Sequence, residues 1–498
     1  MKKNGYDVIV IGSGIGGSAC AALLSHAGFK TLVLEKNDRI GGFTSCYEKH
    51  GFTIDISIHV FSNGINGRFG KILHRIGLAT KQKGKIYSDY LKFVPNLERR
   101  TAIRMPNQKN YISMGSMLNT QRQLTLGTDS DNIQKTVSDM GMKKDNVDTL
   151  MKIFMTILGL TKRKIRKLEE QQLTLRNYID SFTKSPFVHS FLAFTVGGMF
   201  AISPRRASAA EFVRGIQEWF GSNDMSYPIG GSIAVPLAFL EGFKKYGGDI
   251  RTKSPVSEIV IENNRAKGVM VNDEFIESKL VISNTGIKRT VLSLTGEKFY
   301  DNNYVNKIKS LVPSNSSITF KFALNKQIIP KEFGMVNIFH KNLLNSSEKS
   351  NDGATRSTGF MTMIPSNLDP NLAPPGKQLI IFGTLAPAKG VADWKKWTDM
   401  HYQEILQNYP EIEENIIFVD ITTPLDLANL SGKKYGPIES TALIPSQSGP
   451  NRISSELPIE GLYVVGDSAG TNTHGIGTQL AADSAIKCAD LIISKYKS

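Results

Sequence analysis

Three glycines near the start of the chain have the spacing of a loop that holds phosphate. Gly12, Gly14 and Gly17 follow four apolar residues, which we predict to be a short buried strand. Gly12 allows a tight turn, Gly14 lets the backbone approach a pyrophosphate, and Gly17 lets the next helix pack against the strand. The free N–H groups at the start of that helix favour phosphate. We assign these glycines, together with Ser13 and Gly16, to a dinucleotide-binding site.

An acidic residue follows the second predicted strand. Glu35 lies about 20 residues beyond the glycines, where the ribose hydroxyls of a dinucleotide need an acceptor. Next come Lys36, Arg39 and the pair Gly41 and Gly42. Paired glycines let the backbone pass close to a cofactor, and a nearby cation can meet phosphate charge. We therefore add Glu35 and these four residues to the predicted cofactor site.

A second strand–glycine pattern lies at the other end of the chain. Gly466 and Asp467 follow a short apolar run, and Gly475, Ile476 and Gly477 precede a helix rich in small residues. The start of that helix would stabilise an anionic part of the cofactor. We predict that the two distant patterns form one site.

Together these motifs resemble the FAD-binding pattern of the flavin amine oxidase superfamily. The central segment 226–285 is similar in its order to that of the phytoene desaturase-like FAD-dependent oxidoreductases, which include carotenoid desaturases, carotenoid isomerases and retinol saturases. The resemblance implies FAD as the cofactor. It also implies that Asp467 holds the ribityl chain, that the helix after Gly477 points at the flavin ring, and that the Val256 backbone meets the adenine.

The resemblance covers nearly the whole chain and implies an α/β fold with two domains, as expected for 498 residues. One is a discontinuous Rossmann-type FAD-binding domain, which we assign to residues 1–65, 226–288 and 452–498. The other is an α+β substrate-binding domain, assigned to residues 66–225 and 289–451. We expect the first insertion to be mostly helical and the second to supply a mixed sheet.

The family's chemistry implies action on carbon–carbon double bonds of an apolar, isoprenoid or carotenoid-like small molecule. Desaturation, saturation and cis–trans isomerisation by hydride transfer at flavin N5 all stay open, as does the electron donor or acceptor. The cofactor carries the reaction, while the protein supplies orientation and a dry apolar channel. Ser57 stands where the group usually has glycine.

Two histidines are candidate catalytic residues. His59 follows the strand that ends at Asp55, and His474 precedes the last helix. An imidazole can donate a proton or stabilise charge near neutral pH. The alternative for each is a hydrogen bond to loop backbone or to the cofactor.

Two other functions remain open. A flavin amine oxidase would need two aromatic side chains facing the flavin and an amine-sized pocket. A non-enzymatic flavin-bearing protein that binds lipid would need neither a reaction nor an electron partner.

The chain is basic, with 60 Lys and Arg against 45 Asp and Glu and a net charge of +15. We expect no nucleic-acid partner, because no recognition signature is present. The basic run 162–167 adjoins an apolar helix, which suggests peripheral contact with an anionic membrane surface. A solvated charged face is the alternative reading of that run.

The cysteines Cys20, Cys46 and Cys488 have no metal-ligand spacing, so we expect no metal and a reducing compartment. No signal peptide precedes the first predicted strand, and the apolar run 191–202 is too short to cross a membrane. We therefore expect a cytoplasmic protein, with contact at the inner face of the membrane as a further alternative.

Overall fold

The computed structural model describes residues 5–104, 111–113, 143–221, 225–339, 359–387, 393–471 and 474–497. Its α-helices are α1 Ile15–His26, α2 Arg68–Arg75, α3 Lys144–Leu158, α4 Lys162–Glu170, α5 Leu175–Ile179, α6 Pro186–Phe200, α7 Ala209–Gly221, α8 Ala234–Lys245, α9 Ile287–Arg289, α10 Asn302–Ser310, α11 Pro365–Leu368, α12 Trp394–Asn408, α13 Pro424–Ser431 and α14 Gly477–Tyr496.

The strands are β1 Tyr6–Ile11, β2 Thr31–Leu34, β3 Cys46–Lys49, β4 Phe52–Asp55, β5 Phe61–Ser62, β6 Thr80–Gln82, β7 Lys85–Tyr87, β8 Phe93–Val94, β9 Thr101–Arg104, β10 Ile112–Ser113, β11 Met225–Pro228, β12 Asp249–Arg251, β13 Val256–Glu262, β14 Arg265–Val271, β15 Glu274–Ser283, β16 Ser316–Leu324, β17 Met335–Phe339, β18 Gly359–Met363, β19 Gln378–Ala386, β20 Ile416–Thr422 and β21 Leu462–Val464.

The first large sheet joins strands from both ends and the middle of the chain. Strands β12, β2, β1 and β15 are parallel in that order, and β21 pairs in parallel with β15. The hairpin β13–β14 adds antiparallel strands to the first half of β15. Helices α1, α8 and α14 pack on one face, with Val8 and Val10 in the core beneath them. Because both faces are covered, β1 and β2 are continuous apolar runs rather than alternating ones.

The second large sheet has the order β10-β9-β17-β18-β19-β16-β20. Its strands β16 and β19 pair antiparallel over their full length, from Ser316 opposite Ala386 to Leu324 opposite Gln378. Helix α12 contributes Ile405 and Leu406 to the core of this sheet, and Tyr409, directly after the helix, adds to it. The chain is thus α/β in its first sheet, with a second, mixed α+β layer beside it.

The insertion that we expected to be mostly helical also contains short strands. Strands β6 to β10 lie between α2 and α3, and β9 pairs in parallel with β17 of the second sheet. Helices α3 to α7 then form a separate apolar cluster that includes Leu443 and Leu480. Amphipathic periodicity identified the helices, whereas two- to four-residue strands such as β8 and β10 are too short to show a pattern.

Buried polar contacts join the first strands to the middle of the chain. Tyr227 donates a hydrogen bond of 2.6 Å to Asp55 Oδ2, and the Ser232 N–H donates one of 2.9 Å to Asp55 Oδ1. Lys49 and Tyr47 bind Asp420 of the second sheet. Among the helices in the described parts of the chain, none combines the length and apolarity needed to span a membrane.

Candidate cofactor and active site

A large cavity lies beyond the carboxyl ends of the parallel strands. It encloses about 1730 Å³ of empty volume, part of which opens to solvent. Strands β1, β2, β15 and β21 all end at this edge, so the loops after them line the cavity together. Ligands of open α/β sheets bind at this place, where strand order reverses.

The first glycine loop forms one wall. Gly12, Ser13, Gly14 and Gly16 line the cavity, and Gly12 has a left-handed φ of 93° that favours glycine. Gly17 stands behind them, where a Cβ would lie 2.0 Å from the Gly12 backbone oxygen. Its role is therefore to let α1 pack against the turn.

Asn284 connects the two glycine motifs. Its N–H donates to the Ile11 oxygen at 2.9 Å, directly after β15. A Cβ on Gly16 would lie 2.7 Å from Asn284 Oδ1, and a Cβ on Gly466 would lie 2.8 Å from the same atom. Asn284 was outside our predicted set, because a single asparagine after a strand carries no recognisable spacing.

Two helices begin at the cavity without a side-chain cap. The N-cap residue is Gly14 for α1 and Ile476 for α14, and neither helix receives a capping side-chain hydrogen bond. Their free N–H groups and dipoles favour anionic groups. The diphosphate and the ring of FAD, which takes up negative charge, fit this pair of helix ends.

Glu35 is held rigidly at the end of β2. Its Oε2 accepts hydrogen bonds from the Ser13 N–H and hydroxyl, at 3.0 and 2.7 Å. Its Oε1 accepts from the N–H and side-chain amide of Asn37, at 2.9 and 2.8 Å. The buried carboxylate lines the cavity, and because these four hydrogen bonds fill its usual acceptor sites, a ribose hydroxyl would share or replace one of them.

Asp467 lies in a polar corner beside α14. Its carboxylate accepts hydrogen bonds from the Ser440 N–H at 2.5 Å and hydroxyl at 3.0 Å, and it pairs with Lys433 at 3.2 Å. Burial opposes ionisation, but the Lys433 ammonium and the Ser440 hydrogen bonds hold the pKa of Asp467 below its ordinary value. The corner therefore presents an ionised acceptor to a hydroxylated ligand.

The cations near the cavity differ partly from the predicted ones. Lys36 lines the cavity beside Arg289, and both contact backbone oxygens at the end of α13. Burial and then the charge of Arg289 lower the pKa of Lys36. Arg39 is not among the residues that line the cavity; its side chain is 41% exposed and pairs with Asp38.

Most of the remaining predicted cofactor residues line the cavity, and one does not. Those that line the cavity are Gly41, Gly42, Val256, Gly466, Ile476 and Gly477. Gly475 is not among them, and its N–H donates instead to Glu211 Oε2 at 3.3 Å. Sequence reasoning missed Lys433 and Glu439, which also line the cavity, because they lie in a segment that we had assigned to the other domain.

His59 lines the cavity, and its Nδ1 is buried without a hydrogen-bond partner among the described residues. Burial lowers the pKa of His59 to about 4. The ring is therefore neutral at pH 7, so it can exchange a hydrogen bond with a ligand but cannot serve as a cationic acid.

His474 lies instead in a buried ion-pair cluster and is not among the residues that line the cavity. Its Nε2 contacts Glu169 of α4, and its Nδ1 lies 3.1 Å from Glu211 Oε2 of α7. Burial opposes protonation, but the two carboxylates outweigh it and raise the pKa of His474. Arg452 completes the cluster, 3.5 Å from Glu211 Oε1. The histidine thus ties helices together at the entrance to α14.

Known proteins match this chain along almost its entire length. The family described as flavin containing amine oxidoreductase matches residues 15–493. A chloroplastic prolycopene isomerase of Daucus carota is 26% identical, covering 98% of this chain and 80% of that protein. The all-trans-retinol 13,14-reductase of Danio rerio is 22% identical, covering 98% and 86%.

A solved structure agrees on the fold. The crystal structure of an oxidoreductase from Methanosarcina mazei has a TM-score of 0.68 at 21% identity, covering 97% of this chain and 99% of that one. The family match includes α1, which follows the first glycine loop, and nearly all of α14. The protein therefore belongs to the flavin containing amine oxidoreductases, and its cofactor is FAD.

Proposed function

We propose that this oxidoreductase acts on carbon–carbon double bonds of a long apolar substrate of isoprenoid or carotenoid type. The reaction would be a desaturation, a saturation or a cis–trans isomerisation. The observation that carries the proposal is a second cavity of about 570 Å³ that shares part of its wall with the first.

The shared wall joins the dinucleotide site to the second sheet. It is formed by Ser57, Ile58, Gly198, Met361 and Ile438. Beyond it, the second cavity runs between α6 and strands β16, β18 and β19, and none of the described residues lining it is charged. An apolar chain could be buried here without leaving a charged side chain desolvated and unpaired.

Two glycines keep this passage open. A Cβ on Gly198 would lie 2.6 Å from Met361 Cε, and a Cβ on Gly383 would lie 2.7 Å from Ile58 Cδ1. Larger side chains at either position would fill the connection between the cavities. A narrow, glycine-lined passage suits a thin polyene better than a branched polar molecule.

The chain's own residues would bind and orient both ligands. We infer that Glu35 accepts from the ribose, that the backbone around Gly14 meets the diphosphate, and that Asp467 accepts from the ribityl chain. Bound FAD supplies hydride exchange at N5. His59, as a neutral imidazole, would hydrogen-bond at the ring end of the cavity, while the neighbouring apolar wall excludes water.

The names of the relatives support the substrate class. The carrot relative is named for prolycopene and the zebrafish relative for all-trans-retinol. At 26% and 22% identity these names suggest a class of molecule and leave the individual substrate and the direction open.

The direct test incubates FAD-loaded protein with phytoene, prolycopene and all-trans-retinol, with and without a quinone acceptor or a chemical reductant. Products are separated by chromatography and identified by absorbance and mass. We expect conversion of at least one polyene. Unchanged polyenes under every redox condition would contradict the proposal.

A matched pair of variants tests the passage. Gly198→Leu should abolish conversion of a long polyene while leaving FAD bound, because its side chain would meet Met361. Ala193→Leu changes the same helix at a residue outside both cavity linings and should retain activity. Equal activity of the two variants would show that substrate does not use this passage.

Amine oxidation is the competing activity. An amine substrate is cationic at neutral pH, and its entry into an uncharged passage would carry a large desolvation cost. We therefore expect no oxidation of putrescine or benzylamine, measured as peroxide release. Rapid turnover of either amine would favour the competing activity.

We also propose peripheral contact with an anionic membrane, through the exposed cations of α4. Lys162, Arg163, Lys164, Arg166 and Lys167 are all exposed, while Ile165 is buried. We expect sedimentation with phosphatidylserine vesicles that weakens with salt and is lost when the five cations are changed to Gln. If these changes leave vesicle binding unaffected, the cations of α4 face solvent and do not contact the membrane.

A further inference from the structure

Glu439 is a buried acid in the cavity wall that no sequence motif marks. The residue is 2% exposed, and its Oε2 has no hydrogen-bond partner among the described residues. A buried oxygen that stays unpaired costs free energy, so native structures nearly always satisfy such atoms through protein, water or ligand. This carboxyl therefore marks a position where a ligand in the cavity supplies the missing partner.

The position of Glu439 is fixed by its backbone. Its N–H donates to the Ser314 hydroxyl at 2.8 Å, and the Ser314 N–H donates to the Glu439 oxygen at 3.2 Å. The carboxyl reaches the start of α14, since a Cβ built on Gly477 would lie 2.9 Å from Glu439 Oε1. The acid thus lies against a helix end that faces the cofactor.

Three charged groups face this carboxyl. They are Asp467 from the loop after β21, Lys433 from the loop after α13, and Arg452 from the segment before β21. Asp467 is already ionised through its contacts with Lys433 and Ser440, and its side chain also accepts a hydrogen bond from the protonated Glu439 carboxyl. Arg452 donates to the Asp467 backbone oxygen at 3.0 Å and otherwise faces Glu211.

These neighbours decide the protonation state of the acid. Burial and then the negative charge of Asp467 raise the pKa of Glu439 to about 8, against the opposing effect of Lys433 and Arg452. A carboxyl that stays protonated at neutral pH gains one O–H donor and keeps a carbonyl oxygen that can accept.

We propose that Glu439 stays protonated in the cavity wall, between Asp467 and the start of α14, with its O–H directed to Asp467, and that its unpaired oxygen exchanges a hydrogen bond with bound FAD. Ionised Glu439 would instead place a second negative charge beside Asp467 and near an anionic cofactor. FAD binding is therefore coupled to protonation of Glu439, and this coupling does not depend on the identity of the substrate.

The test measures the affinity of the apoprotein for FAD between pH 6.5 and 9, by the quenching of flavin fluorescence. The dissociation constant of the wild-type protein should be about tenfold higher at pH 9 than at pH 7, because apo Glu439 loses its proton near pH 8. Glu439→Gln keeps an N–H donor and no charge, so it should bind within about threefold of wild type at pH 7, with a flat profile. Glu262→Gln, an exposed acid on β13, should follow the wild type.

A second measurement needs no variant. Calorimetry of FAD binding at pH 8.5, in two buffers of different ionisation enthalpy, should show uptake of most of one proton by the wild-type protein. The same experiment at pH 6.5 should show almost none. The proposal is overturned by zero uptake at pH 8.5, or by a Glu439→Gln profile that falls with pH as the wild-type profile does.

Discussion

Replacing Glu211 by Gln tests the buried cluster at the entrance to α14. The Glu211 side chain is fully buried, and its carboxylate faces Arg452 at 3.5 Å and His474 at 3.1 Å. It also accepts the Gly449 N–H at 2.9 Å. Glutamine keeps the size of the side chain and removes its charge, so the neighbouring cations lose their main counter-ion.

Glu211→Gln should lower the free energy of unfolding substantially, although it replaces only one carboxylate oxygen by an amide nitrogen. Breaking a buried ion pair by removing one partner costs about 3–5 kcal/mol, because the Arg452 guanidinium, only 1% exposed, stays buried without compensation. Unfolding entropy is about 2 cal/mol/K per residue, or roughly 1 kcal/mol/K for this chain. The melting temperature should therefore fall by about 3–5 °C.

The pH dependence has a definite sign. The pKa of His474 is raised in the folded protein, so its charge stabilises the fold below about pH 6.5 and stops doing so as pH rises through the folded value. The deficit of Glu211→Gln should accordingly be larger at pH 6 than at pH 9. Differential scanning fluorimetry of apoprotein and FAD-loaded protein at both values measures it.

Two further variants serve as an exposed control and as a rescue of Glu211→Gln. Glu170→Gln removes an exposed partner of Arg166 on α4 and should shift the melting temperature by less than 1 °C. The double variant Glu211→Gln, Arg452→Met should recover part of the loss, because the stranded cation is gone. If Glu211→Gln melts within 1 °C of Glu170→Gln, the cluster does not stabilise the fold in the way argued.

Three other outcomes follow from the site. Gly17→Ala should weaken FAD binding at least about 30-fold, because its Cβ would lie 2.0 Å from a backbone oxygen, whereas Gly5→Ala meets no atom within 4 Å and should bind normally; equal flavin affinities would contradict this. The low pKa of His59 should destabilise the wild-type fold as pH falls below about 6.5, by up to about 3 kcal/mol near pH 4, and His59→Gln should lack this component in urea titrations. Lys433→Met should weaken FAD binding about tenfold by removing the counter-ion of Asp467, while the same change at exposed Lys434 should not; indistinguishable titration curves would refute it.

The parts of the fold that follow local rules were predictable. The turn at Gly12 needs a residue with left-handed φ, and the packing of α1 at Gly17 leaves no room for a Cβ. Because only glycine meets both requirements, the glycine spacing in the sequence reports the local geometry directly. The FAD cofactor and the α/β class followed from the family resemblance that these patterns carry, and both are confirmed by the family match.

The electrostatic details were not predictable in the same way. His474 lies next to a cofactor motif in the sequence, but Glu169, 305 residues away, and Glu211 draw it into a different environment. Glu439 has an ordinary sequence neighbourhood and becomes unusual only through burial beside Asp467. Since pKa values depend on burial and on charges brought close by the fold, a local pattern cannot assign acids and bases.

The position of β21 in the first sheet has a consequence for synthesis of the protein. Strand β15 pairs in parallel with β21, and about 180 residues separate the two strands along the chain. At ribosomal rates of roughly 5–20 residues per second, the nascent chain exposes the unpaired edge of β15 for roughly 10–40 s before its neighbour emerges. An open strand edge invites pairing with other chains, so a chaperone that shields this edge during translation should raise the yield of native protein.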